Sequence, residues 1–331
     1  MIDLYRPFID RLSNCRRVLI TTHVRPDGDA LGSSAAMSLA LRTKKIDSHV
    51  LLLSRMPDKY AFIFRDNKIQ SCNLEGGCPE ISFSDFDLLL VVDTGTWSQL
   101  PGLKDRLNGF AGPRLVMDHH LTQEDWADAK LVDSTAAAAG EIAAELLRRW
   151  NIPFDPPIAT ALFLALASDT GWFQFSNTRP RTMRLAADLM EAGINTDYIY
   201  RLLYQNERIQ RLELQTRAQQ SLELLKDNRL AVMTLRQNDF TQSGADMTDT
   251  ENLINIPLQV QSVEVAILIV EPLDSGPIRV SLRSKNSVDV AKFAEQFGGG
   301  GHARAAGLKL PGTVDEVRRK LIQAMLSSMS H

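Results

Sequence analysis

Residues 115–120, LVMDHH, join a short apolar run to an aspartate and two adjacent histidines. The same layout occurs twice more: VLI at 18–20 precedes HVRPDGD at 23–29, and LLLVV at 88–92 precedes Asp93. Short, continuous apolar runs of this kind are typical of buried parallel strands. In an open α/β sheet the ligand site forms where the carboxyl ends of such strands meet. The three runs therefore predict one crevice lined by His and Asp side chains.

Strand and helix patterns alternate through the first part of the chain, which predicts a doubly wound α/β domain with a parallel sheet over residues 1–190. A charged helical stretch predicts a connector over 191–226. Further strand-like runs and two helices predict a smaller, mixed α/β C-terminal domain over 227–331. The predicted fold class is therefore α/β with two domains.

Composition excludes several classes of protein. The 37 basic and 40 acidic residues give a net charge of −3, so the chain has no overall attraction to long nucleic acid. Its three cysteines, without a CxxC pair, argue against a disulfide framework and a thiolate zinc site. The N-terminal segment does not resemble a signal peptide, and no apolar run approaches the roughly 20 residues of a membrane span. We expect a cytoplasmic protein with no membrane partner.

Each motif has a structural interpretation beside the chemical one. Asp29 fits the N-cap of the following helix, and Asp93 could cap a helix or end a strand. Against this, hard divalent cations need several converging carboxylates, and imidazole beside them favours manganese, iron or zinc over magnesium. His119 and His120 are adjacent at a strand end, so they point to different sides and one of them must face the crevice.

Two later segments also carry chemistry. Asp169 follows an apolar segment, IATALFLALA at 158–167, that predicts a buried helix. An aspartate at a helix C-terminus opposes the helix dipole by roughly 0.3–1 kcal/mol, which predicts a compensating donor or cation such as a metal. A glycine run at 298–301 is typical of a turn or flexible loop. Because His302 and Arg304 follow it, its free backbone N–H groups also suit a phosphate site.

Taken together, these segments resemble the DHH phosphoesterase superfamily. The branch they resemble comprises bifunctional oligoribonucleases and phosphatases of adenosine 3′,5′-bisphosphate (pAp) with a DHH-associated C-terminal domain. The combination is specific, although each segment alone is not, and it covers nearly the whole chain in order. The matching segments are HVRPDGD at 23–29, DTG at 93–95, DHH at 118–120, SDTG at 168–171 and GGGGHARAAG at 298–307.

The resemblance implies two manganese ions, with magnesium or cobalt as substitutes. The ligands of the first ion would be His23, Asp27 and Asp93. The ligands of the second would be Asp29, Asp93, His119 and Asp169, with Asp93 bridging the two ions.

The resemblance also implies roles for residues beside the metals. His120 would face the substrate phosphate and, with the bridging Asp93, form the catalytic pair, while Asp118 would orient His119. The C-terminal domain would bind the nucleotide phosphate or sugar, and the active site would lie in the cleft between the domains. The implied substrate-binding residues are Arg283, Ser284, Gly299, Gly300, Gly301, His302 and Arg304.

The implied activity is hydrolysis of a phosphoester. Two cations about 3.5–4 Å apart can activate hydroxide for attack on phosphorus and stabilise the leaving oxygen. The implied substrates are very short single-stranded RNA or dinucleotides, cleaved to mononucleotides, and pAp, which loses its 3′-phosphate; a homodimer is compatible with this prediction. The alternatives are a phosphodiesterase for cyclic di-AMP or its linear dinucleotide, a manganese inorganic pyrophosphatase, and a nucleotide-binding regulator without catalysis.

Overall fold

The computed structural model describes residues 4–64, 70–73 and 81–329. The chain divides into two compact units, Met1–Asn206 and Glu207–His331. Among the described residues, none of the helices combines the length and the apolar composition that a membrane span needs. The stretch 191–226, predicted as a connector, contributes a helix to the first unit and a helix and a short strand to the second.

The first unit is built on a parallel six-stranded sheet with the order β3-β2-β1-β4-β5-β6. The strand order reverses between β1 and β4, where Thr22 lies opposite Val92 in the ladder. Open α/β sheets bind their ligands at such a switch point. The predicted doubly wound parallel sheet is confirmed. The strands are β1 (Arg17–Thr22), β2 (Asp47–Leu52), β3 (Gln70–Asn73), β4 (Leu88–Val92), β5 (Arg114–Asp118) and β6 (Ala129–Val132).

Three helices of this unit pack very closely against one another. A Cβ atom added to Gly32 would clash with the carbonyl oxygen of Ala161, and one added to Gly140 would clash with Ala165. The backbones of α2 and α4, which carry the two glycines, therefore lie close to α5, which carries Ala161 and Ala165. The helices are α1 (Tyr5–Ser13), α2 (Gly28–Thr43), α3 (Leu103–Arg106), α4 (Ala139–Arg149), α5 (Pro156–Asp169), α6 (Pro180–Glu191) and α7 (Thr196–Tyr204).

The second unit contains a mixed sheet with the order β11-β12-β10-β9-β8-β7, in which only the β8–β9 pair is parallel. This confirms the predicted smaller, mixed α/β domain. Its strands are β7 (Glu223–Leu225), β8 (Leu230–Leu235), β9 (Val265–Val270), β10 (Ile278–Ser284), β11 (Gly300–His302) and β12 (Ala305–Leu310). Its helices are α8 (Ile209–Gln220), α9 (Gln237–Ser243), α10 (Val290–Glu295) and α11 (Val314–Ser328).

Candidate active site

The side chains that follow β1, β4 and β5 lie together at the carboxyl edge of the parallel sheet. His23 Nε2 is 3.5 Å from Asp93 Oδ2, and His119 Nε2 is 3.4 Å from Asp93 Oδ1. The two oxygens of Asp93 therefore face two different imidazoles. This arrangement arises because the three strands are neighbours in the sheet and end at nearly the same level.

Asp93 is held in an unusual conformation. Its φ of 63° lies in the left-handed region, which costs a non-glycine residue about 1–3 kcal/mol and is concentrated at functional sites. Its backbone N–H donates to the carbonyl of Met117 at 2.9 Å, which fixes the turn. The side chain is buried, and within the described residues its Oδ1 makes no hydrogen bond. A buried carboxylate oxygen without a donor calls for a cation.

The rings of His23 and His119 are oriented in the same way. Nδ1 of His23 is 3.0 Å from the carbonyl oxygen of Val24, and Nδ1 of His119 is 3.4 Å from that of Ala136. A carbonyl can only accept, so each Nδ1 carries the hydrogen and each Nε2 presents a lone pair to the carboxylates, as in metal-ligating histidines. Burial lowers the pKa of His119, but the close approach of the Asp93 carboxylate and the charge of Asp29 raise it to about 10.

Asp29 is fully buried at the start of α2 and is fixed by the beginning of α4. Its Oδ2 accepts the N–H of Ala139 at 2.6 Å, and its Oδ1 accepts the N–H of Gly140 at 3.0 Å and the hydroxyl of Ser33 at 2.9 Å. Oδ2 is also 3.7 Å from His119 Nε2. Burial, and then the charges of nearby carboxylates, raises the pKa of Asp29 well above its usual value. Both factors disfavour the ionised carboxylate, and a bound cation would offset their effect.

Asp27, and not Asp29, is the N-cap of α2, which corrects the structural alternative. Its Oδ1 accepts the N–H groups of Asp29 at 3.0 Å and Ala30 at 3.1 Å. The same oxygen lies 3.9 Å from His23 Nε2, and the side chain is half exposed. Asp27 therefore caps the helix and also lies among the candidate metal ligands.

Asp169 is the last residue of α5, with its Oδ2 3.4 Å from His119 Nε2. Burial raises the pKa of Asp169 to about 6, although the charge of His119 acts in the opposite direction. The amide of Asn177 donates to the backbone carbonyls of Asp169 and Ala137, both at 3.0 Å. Asn177 thus ties the end of α5 to the segment before α4. No sequence pattern distinguished this residue.

The geometry groups the candidate ligands into sets whose donor atoms lie within 4.8 Å of one another. Carboxylate oxygens with imidazole nitrogens suit a divalent transition metal such as manganese. Together with the unpartnered oxygen of Asp93, this donor chemistry fits a divalent metal. The sets are His23 with Asp27 and Asp93, Asp29 with His119 and Asp169, and Asp93 with His119 and His120.

His120 differs from His23 and His119 because its Nδ1 faces a carboxylate and not a backbone carbonyl. It lies 2.7 Å from Asp118 Oδ1, compared with 3.7 Å from Asp93 Oδ1, and the side chain is 55% exposed. The buried Asp118 also accepts the backbone N–H of His119 at 2.8 Å and a bond from the Gln123 amide. The expectation that Asp118 orients the ring of His119 is therefore corrected: it orients the ring of His120. That hydrogen bond raises the pKa of His120.

Comparison with known families agrees with this geometry. Residues 17–166 match the N-terminal domain of the DHH family, and residues 227–330 match the DHHA1 domain. The chain therefore contains a DHH-type N-terminal domain and a DHHA1 domain. Members of the DHH family are phosphoesterases, so this protein is an enzyme that acts on phosphoesters. Its clustered carboxylates and imidazoles suit a divalent metal. The resemblance stated from the sequence motifs is confirmed.

Individual relatives cover nearly the whole chain. The bifunctional oligoribonuclease and PAP phosphatase NrnA of Thermus thermophilus is 26% identical over 315 residues, 95% of this chain and 90% of the relative. An exopolyphosphatase-related protein from Bacteroides fragilis shares the fold with a TM-score of 0.87 and 24% identity, covering 98% of this chain and 95% of that one. RecJ from Thermus thermophilus, solved in complex with Mn²⁺, has a TM-score of 0.53 and 15% identity over 98% of this chain and 54% of RecJ.

In the DHHA1 domain, Arg283 and Ser284 occupy different environments. Arg283 is half buried on β10, and its guanidinium donates to the carbonyl of Leu282 at 3.1 Å. Burial lowers the pKa of Arg283, and among the described residues no carboxylate lies within 4 Å of it. Such a cation can accept an anionic ligand. The hydroxyl of the buried Ser284 instead donates to the carbonyl of Val288 at 2.6 Å, so Ser284 fixes the following loop.

The glycine run of the DHHA1 domain forms an edge strand, which corrects the predicted nest of free backbone N–H groups. Gly300, Gly301 and His302 form β11, which pairs with β12 and is exposed throughout. A Cβ atom on Gly299 would clash with the carbonyl of Gly307, and one on Gly301 would clash with that of Ala305. The glycines are therefore needed for close hairpin packing. Arg304, in the turn, donates to the Val288 carbonyl at 2.8 Å.

Proposed function

We propose that this DHH enzyme hydrolyses very short RNA to mononucleotides and removes the 3′-phosphate of pAp. The observation that carries the proposal is the position of Asp93, whose two oxygens face His23 and His119 and so join two sets of candidate ligands. The Thermus thermophilus relative, named an oligoribonuclease and PAP phosphatase, supports the choice of substrates.

The proposed cofactors are two manganese ions, for which magnesium or cobalt could substitute. His23, Asp27 and Asp93 would hold one, and Asp29, Asp93, His119 and Asp169 the other. Bound there, two such cations supply Lewis acidity and charge neutralisation at a phosphoryl group. The imidazoles offer Nε2 because Val24 and Ala136 engage the opposite ring nitrogens.

His120 is the proposed proton donor of the site. Its Nδ1–H donates to the buried Asp118, which leaves Nε2 as the atom that faces outward from the half-exposed ring. The charge of Asp118 favours the doubly protonated ring, whose Nε2–H can bind a phosphate oxygen or protonate the departing one. Asp118 would hold the ring in place and so act on the reaction through His120.

The DHHA1 domain would hold the nucleotide. Arg283 and His302 lie in register on either side of Ala305, and directly opposed residues of antiparallel strands project to the same face. A phosphate between the guanidinium and the imidazole would supply the counter-charge that Arg283 lacks. Gly299, Gly300 and Gly301 shape the hairpin beside it. Ser284 and Arg304 fix the backbone of the adjoining loop.

One parallel assay tests the proposal. Purified protein with manganese is offered pAp, RNA from dinucleotide to 20-mer, cyclic di-AMP and pyrophosphate. We expect pAp and the shortest RNAs to have the highest kcat/KM and 20-mers the lowest, because a net charge of −3 offers no extended basic track. A preference for cyclic di-AMP or pyrophosphate would replace this proposal by the corresponding alternative, and nucleotide binding without turnover would indicate a regulator.

A further inference from the structure

One half of the DHHA1 sheet carries a helical layer on a single face. Strands β8 and β9 have apolar cores on both sides: Val232 and Ile267 belong to one, and Met233 and Leu268 to the other. Strands β10 and β12 contribute to the first core only, for example through Val280. Their opposite face is therefore open, and it bears residues that contribute to neither core.

The open face is organised in three rows, because paired residues of antiparallel strands project to the same side. A Cβ atom on Gly300 would meet nothing within 4 Å, and one on Gly307 would meet only the Val280 carbonyl oxygen, at 3.6 Å. The middle row is thus a floor of small residues between two cationic rows. The rows are His302, Ala305 and Arg283; then Gly300, Gly307 and Ser281; then Lys309 and Arg279.

The third row lies at a cavity of about 370 Å³, a size typical of small-ligand sites. Arg279 and Lys309 are both exposed, and among the described residues neither has a carboxylate within 4 Å. Asp274 directs its Oδ1 to the N–H of Gly276 at 3.3 Å, within its own turn. The cavity therefore combines two cations with an apolar wall. The wall consists of Met247, Pro272, Leu273 and Pro277.

We propose that Arg279 and Lys309 form a second phosphate subsite, which binds a nucleotide at least two residues beyond the one held by Arg283 and His302. The inference rests on the proposed function and adds a length preference to it. The two cationic rows are four positions apart along β10, a rise of roughly 13 Å. The phosphates of pAp share one ribose and cannot span that distance. A chain of three or more nucleotides can cross the floor of small residues, with a base against the apolar wall.

The test compares Arg279→Ala/Lys309→Ala with a control that removes equal charge from the opposite side of the same sheet. The control is Lys292→Ala/Lys320→Ala, on the exposed sides of α10 and α11, which pack on the core face. We measure kcat/KM with manganese for pAp, a dinucleotide and a tetranucleotide. We expect the subsite variant to lose on the order of tenfold for the tetranucleotide, as for loss of one charge-assisted phosphate contact, and to change little for the other two.

Salt dependence gives a second readout. Each phosphate contact contributes about 0.7 to the slope of log affinity against log salt for a single strand, so the tetranucleotide slope becomes shallower by about that amount in the subsite variant alone. Arg279→Lys keeps the charge and should retain most of the tetranucleotide activity.

Equal losses for pAp and tetranucleotide, or no loss for the tetranucleotide, would overturn the subsite. If the unmodified enzyme turned over neither pAp nor RNA, the proposed function would fail instead. Fluorescence anisotropy of labelled di- and tetranucleotides, with the same variants and salt series, would then decide the subsite by itself.

Discussion

The candidate metal region and the proposed substrate-binding region of this enzyme are built in opposite ways. Asp29 and Asp93 are buried, and backbone groups from distant segments fix their positions. His302 and Lys309 are exposed on one open face of the DHHA1 sheet. Burying carboxylates is costly unless hydrogen bonds and a cation compensate, so the metal region must be assembled by the fold itself. Exposed polar and charged side chains cost little, so the proposed substrate region could be ordered by a bound phosphate.

The largest effect is expected for Asp93→Asn, which tests whether the buried region acts as one unit. Asparagine tolerates the left-handed conformation but removes the charge that faces both imidazoles. We expect activity to fall by more than about 100-fold. That is the upper end of the loss expected when a residue that only supports a metal ligand is replaced. Elemental analysis should show fewer than two metals per chain.

His23→Ala is the matched control, because His23 belongs to only one of the two sets joined by Asp93. Excess manganese should partly restore its activity. Retention of two metals in the Asp93→Asn variant would disprove the bridging position.

A smaller loss is expected for Asp118→Asn, at the border between the buried and exposed regions. Because Asp118 contacts the ring of His120, kcat should fall by about 10–100-fold with the metal content unchanged. The double variant Asp118→Asn/His120→Ala should be no slower than His120→Ala, since residues that act through one another are not additive. Loss of metal from the Asp118 variant would show that it serves His119 after all.

Arg283→Ala and His302→Ala test the exposed region. Removing either should raise KM for pAp and for the dinucleotide by on the order of tenfold, because a charge-assisted contact to phosphate is lost. kcat and metal content should change little, because neither residue lies among the grouped metal donors. A His302 variant that lost manganese at unchanged KM would contradict the division of roles between the two regions.

The smallest change in activity is expected for Ser284→Ala, which separates loop support from substrate contact. Loss of the hydrogen bond to Val288 should lower the free energy of unfolding by about 0.5–1.5 kcal/mol, measured by urea denaturation. KM should change less than twofold. Ser327→Ala, which removes a hydroxyl on an exposed helix face, is the control for stability. A large rise in KM with unchanged stability would indicate that Ser284 contacts the substrate directly.

Patterns of neighbouring residues were sufficient to predict β1, β4 and β5 and the edge of the sheet at which the polar residues that follow them meet. The run LLLVV before Asp93 has the length and composition of a buried parallel strand, and the carboxyl ends of such strands share one edge. The buried helix that ends at Asp169 follows equally from its apolar composition. Contacts between distant segments were not predictable in this way. Asn177, which joins the ends of two segments, has no local signature.

The sequence by itself determined the class of fold, the edge of the sheet at which the candidate ligands meet, and the set of donors available there. Only the tertiary structure decided the partners: Asp118 with His120, Asp29 with the start of α4, and the glycine run with β12. The physical reason is the range of the forces. Secondary-structure propensity and burial depend on neighbouring residues, so they produce a periodic pattern of apolar residues in the sequence. A hydrogen bond between distant segments depends on which groups packing brings within about 3 Å of each other, and no local pattern predicts it.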